Sequence, residues 1–443
     1  MEQPIPKMKV YKFDGASFAS AKRIAQIARL LDDELQTKMV VVSTPPAAEQ
    51  TLARICESCY AENAAQARQS AEELRQEYHR TVDALYRQEQ TRQRAHAWID
   101  EKFESMARYL TDYFVVQDEK AVLSFGPSIQ SELFHYYLNE NGTDSVLIPA
   151  LSFMRIDRLG EPDMYYIGQN LLPKLRSNPQ ASVFITQGGI CLNAWGETDT
   201  LPHAGSDYTA TIIGAAIPAQ EVQIWAEAEP LFENDPRLVE NPAPVETLSY
   251  AEAEELAYFG AKILHPLCIL PAHNAGVPLR LKYAGKPKAN GTSIHSHHGR
   301  GGAKAVAAKD GAIAIKIQSG RMTSAYGFLR RIFEIFERYR TPIDMITTSE
   351  VAVSLTIDDD SYLSRIVSEL REFGIVSVDK DQTIVSVVGH DIVEDPRSME
   401  LFAALKGKPV RMISYGGSRN NISFVIDTAE KEDVLNKLNR CLF

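Results

Sequence analysis

Cysteine is scarce in this chain: five residues in 443, an odd number whose spacing suggests no disulfide framework. A small scaffold stapled by disulfides is thereby excluded. Cys56 and Cys59 form a C-x-x-C, the spacing of a redox pair or of half a zinc site. They fall inside a helical pattern with no second pair nearby, so a structural role is expected. Also missing is any uninterrupted apolar run long enough to span a bilayer. Met1 to Lys9 lacks the apolar core of a signal segment, and a cytoplasmic chain is expected. Positive charge is not in excess. A formal net charge of −11 disfavours nucleic acid and anionic membrane as partners. His295, His297 and His298 lie close together, but the basic Arg300 beside them and the flexible backbone argue against a metal, and none is expected.

What is present is an ordinary globular composition, 44% hydrophobic and 24% charged, long enough for two to four domains. Val10–Phe13 reads as a strand running into a glycine-containing turn, and Ala19–Leu31 has helical apolar spacing. Met39–Val42 is a continuous apolar run, the pattern of a buried parallel strand. That strand, helix, strand opening predicts an α/β layer fold. From Leu52 to Tyr113 the chain is rich in Ala, Glu, Gln and Arg and poor in Gly and Pro, which predicts long, solvent-facing helices. Further strands are expected at Ala121–Leu123, Ser145–Ile148, Ala181–Thr186, Glu221–Trp225 and Val277–Lys282. Ala251–Leu264 is helical up to His265-Pro266. Asn290–Gly302, rich in Gly, Ser and His, reads as a linker.

Two similar units follow. In the first, Ala312–Gln318 and Val351–Ile357 are strand-like, and Phe328–Tyr339 and Tyr362–Phe373 are helical. The second has strands at Thr383–Val388, Val410–Ser414 and Ile422–Ile426 and helices at Ser398–Lys406 and Glu430–Leu442. The βαββαβ order is ferredoxin-like, and two tandem copies suggest paired small-molecule sensing modules.

Several runs carry a family resemblance through their order and spacing: Gly205-Ser206-Asp207-Tyr208-Thr209-Ala210, Asn234-Asp235-Pro236-Arg237 and Phe259-Gly260-Ala261-Lys262-Ile263-Leu264-His265-Pro266. Met345–Val351 and Arg411–Gly416 complete the set. From about Lys9 to Phe443 the chain resembles the aspartokinases, ATP-dependent kinases of L-aspartate, and most closely the lysine-sensitive branch with tandem ACT domains. The resemblance implies an amino-acid-kinase α/β sandwich with a helical insertion, followed by two ferredoxin-like ACT domains of α+β type. The expected layout is a catalytic domain over 9–292 with its insertion at 52–113, then a linker and shared strand over 293–310. The ACT domains would follow at 311–380 and 381–443, with Ala303–Ala307 lent to the second.

The resemblance also implies site residues. The family's KFGGTS turn, where a lysine neutralises ATP phosphates and glycines let backbone N–H groups approach, is Lys12-Phe13-Asp14-Gly15-Ala16-Ser17 here. Asp14 puts a carboxylate near the triphosphate, unless it simply caps the following helix. A family turn whose glutamate, following a glycine, helps bind the substrate ammonium is Ser124-Phe125-Gly126-Pro127 here, and an arginine that clamps the substrate carboxylate becomes His203, beside Ser206 and Asp207. His203 reads equally as a loop residue with no ligand. The implied catalytic set is Lys12, Asp207 and Lys262, and the substrate set Ser43, His203 and Ser206. ATP with Mg²⁺ would meet Lys12, Gly15, Ser17, Glu227, Phe232, Arg237 and Lys262.

The implied effector site comprises Met322, Ser324, Gly327, Leu329, Asp344, Thr348, Ser349 and Glu350, with two carboxylates for a cationic ligand such as lysine. The plainer reading of this segment is a dimer interface. Expected partners are aspartate, lysine and a second copy of the chain joined through the ACT domains, with no nucleic acid and no membrane. The expected function is phosphorylation of L-aspartate to 4-phospho-L-aspartate under lysine-type feedback, weakened by Asp14, Pro127 and His203. Two alternatives remain: an inactive amino-acid-sensing homologue, and a kinase of a different carboxylate.

Overall fold

Short apolar runs flanked by helices form the expected buried strands. Lys9–Phe13 (β1) and Lys38–Val42 (β2) pair in parallel, with nearly every residue hidden. The computed structural model describes residues 7–33, 36–201, 205–227, 231–261, 264–296, 301–318 and 327–443. The chain divides into two units, Met1–Pro230 with Leu264–Ser296, and Leu231–Ile263 with His297–Phe443. Leu231–Ile263, expected within the catalytic domain, thus groups with the C-terminal unit.

In the first unit β1 and β2 are joined by Ser145–Leu147 (β3), Val183–Gln187 (β4), Val222–Ala226 (β5), Leu279–Tyr283 (β6) and Thr292–His295 (β7). Their order is β3–β4–β2–β1–β5–β6–β7. All neighbours run parallel except β7, which is antiparallel to β6. β7 occupies part of the expected linker; His297, His298 and Arg300 lie outside the described residues.

Helices α1 (Ala21–Asp32), α2 (Pro46–Tyr60), α3 (Ala64–Leu85), α4 (Glu89–Met106) and α5 (Val116–Glu140) follow in sequence, and α6 (Met164–Arg176) lies between β3 and β4 in the chain. The Ala-, Glu- and Gln-rich stretch is helical as its propensities predict. It is not merely solvent-facing. Leu74, Tyr78 and Val82 of α3 and Ile99, Phe103 and Met106 of α4 join the same core as Tyr11 and Phe13 of β1. The expected strand at Ala121–Leu123 is a correction: it lies inside α5, as does the expected turn at Ser124–Pro127. Buried residues at 121, 122, 125, 129 and 133 follow a helical period, and helix packing overrides the local Gly-Pro turn signal. Pro127 still removes one N–H from the α5 ladder, the one that would bond the Leu123 carbonyl.

The second unit is built on two long antiparallel strands, Gly302–Gln318 (β8) and Ile375–His390 (β11). With Met345–Thr348 (β9), Ala352–Ile357 (β10), Val410–Tyr415 (β12) and Asn421–Asp427 (β13) they form one six-stranded sheet, ordered β9–β10–β8–β11–β13–β12. Each long strand therefore serves both ferredoxin-like halves. The β8 residues Ala303–Ala307 run against Ser386–Gly389, while Ile313–Gln318 pair with Ala352–Ile357. Two separate cores flank this sheet, one around Ile315, Ile332 and Leu355, the other around Val387, Phe424 and Leu438. Three expected helices are shorter than their patterns. The helix expected from Ala251 spans Tyr250–Tyr258, that expected from Tyr362 spans Leu363–Leu370, and Ser398–Lys406 contains only the four-residue helix Leu401–Ala404 after a 3-10 turn.

Phe134 of α5 is fully buried and meets the Phe18 ring edge to face at 5.4 Å. Replacing it by alanine leaves a cavity under β1, and a loss of about 3–5 kcal/mol is expected. Urea unfolding of Phe134→Ala should move the midpoint with little change in slope.

Candidate functional site

The carboxyl ends of parallel strands open onto a common crevice, the usual ligand position in α/β sheets. β1 delivers Lys12 near its end. β2 delivers Ser43, β4 leads into Gly188, and β5 leads into Glu227. The Lys12 ammonium reaches an Asp207 carboxylate oxygen at 2.7 Å, with only 8% of the lysine side chain exposed. Asp207 comes from the first turn of α7 (Gly205–Ala216). A Cβ on Gly188 would stand 2.5 Å from the Ser206 Cβ, so only glycine lets α7 approach this closely. Likewise a Cβ on Gly15 would lie 1.9 Å from the Thr44 carbonyl oxygen.

These residues line a cavity of about 450 Å³ that brings together Lys12, Gly15, Ser43, Ser206 and Asp207. Glu49 of α2 and Pro127 of α5 complete its rim. The Ser43 hydroxyl donates to the Phe13 carbonyl at 2.8 Å, which fixes the serine to β1. Beneath the site, burial pushes the Cys268 thiol up to about 12, helped by the Asp207 charge. It is a neutral packing group and not a nucleophile.

A second cavity, about 580 Å³, is lined by Phe13, Ser17, Arg23 and Glu227. Asp14 caps the 3-10 turn Gly15–Phe18, accepting from the Ser17 N–H at 3.3 Å. It also lies 3.1 Å from the Ser17 hydroxyl and accepts from the Glu227 N–H at 3.3 Å. The Ser17 hydroxyl lies 3.3 Å from the Glu227 carboxylate as well, yet it carries one proton and serves one of them at a time. Arg23 offsets this crowding of negative charge: its guanidinium pairs with Glu227 at 2.6 Å and donates to the Ala16 carbonyl at 3.0 Å. Arg23 and Glu49 went unnoticed in the sequence, although each stands within a turn or two of a recognised motif.

Phe232 and Arg237 belong to the second unit, where Arg237 is largely exposed and forks onto Asp235 at 2.9 and 2.6 Å. His203, Lys262, Met322 and Ser324 lie outside the described residues.

In the second unit Gly327, at φ +81°, starts the helix Phe328–Arg338, and Leu329 is partly exposed on it. Thr348 ends β9, and the Ser349 hydroxyl accepts from the Ala352 N–H at 3.1 Å, so Thr348, Ser349 and Glu350 form an exposed turn. Asp344 is different. Its carboxyl is 4% exposed and receives the Lys309 ammonium at 2.7 Å; Asp358 receives the same ammonium at 2.9 Å. Burial pushes Asp344 above the usual carboxylate range despite the pull of Lys309. Burial opposes the Lys309 charge too, but its bonds to Asp344 and Asp358 outweigh it and hold the ammonium above its ordinary value. Among the described residues, no group of three or more histidine, cysteine, aspartate or glutamate side chains could hold a metal ion. No helix among them is long and apolar enough to cross a membrane.

A parallel sheet with a lysine–aspartate pair at its carboxyl edge, followed by a shared ferredoxin-like sheet, defines an amino acid kinase joined to an ACT module. The amino acid kinase family matches residues 7–282, and an ACT domain matches residues 385–442. Lysine-sensitive aspartokinase 3 of Escherichia coli is 32% identical over 339 residues, covering 73% of this chain and 75% of that one. The chloroplastic aspartokinase 1 of Arabidopsis thaliana is 29% identical over 98% of this chain and 80% of its own length. The crystal structure of E. coli aspartokinase III in complex with aspartate and ADP (R-state) matches with a TM-score of 0.81 at 27% identity, covering 99% of this chain and 100% of that one. The chain belongs to the aspartokinase family.

Lys309→Met would leave Asp344 buried without its cation, and a loss of about 3 kcal/mol is expected. The loss should shrink as pH falls, because a buried carboxyl with a raised folded pKa takes up its proton more readily in the folded state than in the unfolded one. Denaturant midpoints of both proteins across the acidic range check this.

Proposed function

We propose that this protein transfers the γ-phosphoryl group of Mg-ATP to the side-chain carboxylate of L-aspartate, with turnover lower than its relatives reach. The observation that carries the proposal is the single cavity holding Lys12, Ser43, Ser206 and Asp207, the groups that the family resemblance assigns to phosphate and acceptor. Phosphoryl transfer depends mainly on positioning and charge neutralisation, and this cavity offers the Lys12 ammonium at a strand end and the Ser206 hydroxyl in the first turn of α7. ATP would present its phosphates to the Lys12 ammonium, with Gly15 allowing close backbone approach. With no dedicated metal cage among the described residues, Mg²⁺ would arrive on the nucleotide.

Reduced turnover follows from charge. Asp14 and Glu227 crowd two carboxylates around Ser17, and Arg23 already serves Glu227. A phosphate about 4 Å from an added carboxylate is opposed by ~1 to 4 kcal/mol at effective dielectrics between water and a protein surface. Direct assay of aspartyl phosphate formation should give a low but real rate, and absence of both turnover and ATP binding would replace this reading with that of a non-catalytic homologue. Asp14→Gly should lower the KM for ATP by about tenfold, equivalent to ~1.4 kcal/mol of removed repulsion.

For regulation, the turn Thr348–Glu350 with Gly327 and Leu329 supports capture of an amino-acid effector of lysine type. Since Asp344 is engaged by Lys309, Glu350 is the carboxylate here that an effector ammonium can reach; it has no ion pair among the described residues. Binding to the folded state alone raises stability with the logarithm of the ligand excess over Kd. Millimolar L-lysine should therefore raise the melting temperature, and Glu350→Gln should abolish the rise.

A further inference from the structure

We infer that Glu49 receives the ammonium of the acceptor amino acid, replacing a carboxylate that position 127 does not provide. The inference rests on the kinase reading for the identity of the cavity, and it adds the residue that selects an α-amino acid as acceptor.

Three observations converge. Pro127 lies within the buried part of α5 and lines the cavity, presenting neither charge nor N–H to it. Directly beside it α2 and α5 make a close approach: a Cβ on Gly126 would fall 2.7 Å from the Thr44 side chain and 2.9 Å from Leu52. Leu52 is three residues after Glu49 on α2, so the two share a helix face, and that face is turned to α5 at Pro127. Glu49 lines the same cavity one turn nearer the strand ends.

The third observation is the charge balance. Among the described residues, the charged side chains lining the cavity are Lys12, Asp207 and Glu49. Lys12 and Asp207 neutralise each other at 2.7 Å. Glu49 has no ion-pair partner among the described residues and is exposed to the cavity mouth. A carboxylate in the first helical turn is also favoured by the helix dipole, which accounts for stability but not for its place on the cavity rim. Leu52, Leu123, Pro127, Ile190 and Leu201 make much of the lining apolar, and Thr44 and Thr200 add only neutral hydroxyls, so among the described residues Glu49 is the carboxylate left unpaired for an entering ammonium. A dicarboxylate lacking the amine gains nothing from it. The acceptor class is therefore an amino acid bearing a second carboxylate.

The test compares L-aspartate with succinate, the same diacid without the amine, by calorimetric titration of the full chain with Mg-ADP present. Wild type should prefer aspartate. Glu49→Gln should weaken aspartate by about tenfold to a hundredfold, the worth of one charge-assisted bond, and leave succinate and ADP unchanged. Glu49→Asp should fall between, and adding Pro127→Glu to Glu49→Gln should recover affinity. In turnover, Glu49→Gln should raise the KM for aspartate far more than it lowers kcat. Equal aspartate affinity in wild type and Glu49→Gln overturns the inference, as does a parallel loss for aspartate and succinate, or no aspartate binding in wild type. If aspartate binds in a Glu49-dependent way without turnover, the inference stands and the kinase reading falls. If turnover occurs with an unchanged KM in Glu49→Gln, the reverse holds.

Discussion

The ion pair between Lys12 and Asp207 is the constraint on which the first unit's site depends. It joins the end of β1 to the first turn of α7, with the lysine almost wholly withdrawn from solvent. A buried pair of this kind is weak evidence for stability, but removing either partner strands a charge. Its tolerances reach the backbone: Gly188 must be a glycine for Ser206 to sit beside the pair, and Gly15 for the turn after β1 to pass the Thr44 carbonyl. The strand ends, the two glycines and α7 thus form one arrangement around one ammonium. Phosphate chemistry at that ammonium requires the incoming anion to compete with, or share, the Asp207 carboxylate.

Around this pair the negative charge has been redistributed. Asp14 and Glu227 face each other across Ser17 on the side of the larger cavity, and Arg23 holds Glu227. At the smaller cavity α5 offers a proline, and α2 offers Glu49. The second unit repeats the theme, with Lys309 from β8 occupying Asp344 before any ligand arrives. In each case a residue with a family role is present but already engaged, or absent while a neighbour of like charge stands close by. The proposed activity and regulation therefore turn on who pairs with whom as well as on which residue types are kept.

Much of the fold was legible. β1, β2, β3, β4, β5 and β6 coincide with the expected strand segments of four to six residues, because strands buried on both faces are mostly apolar. The helices α3 and α4 were legible from propensity alone. Ala121–Leu123 was not: three apolar residues before Ser, Phe, Gly and Pro look the same in a strand and in one turn of a buried helix, and only the packing of α5 against α2 separates them. Thr383–Val388 and Ala312–Gln318 were recognised as strands, but each is one end of a longer strand. The continuation Ile375–Asp381 is not expected from the sequence, and Ala303–Ala307 is expected as a strand lent to the second ACT domain but not as one unbroken strand with Ala312–Gln318.

The sequence by itself determined the class of fold, the family, and the presence of Lys12, Ser43, Ser206 and Asp207 as a chemical set. These are properties of local pattern, since strand and turn signals act over a few residues. Only the tertiary structure decided how distant charges pair: Glu227 taken by Arg23, Asp344 taken by Lys309, and Glu49 left open beside Pro127. Pairing is a matter of distance in space between residues as far apart in the chain as Ser17 and Glu227, and no periodicity in the sequence encodes it.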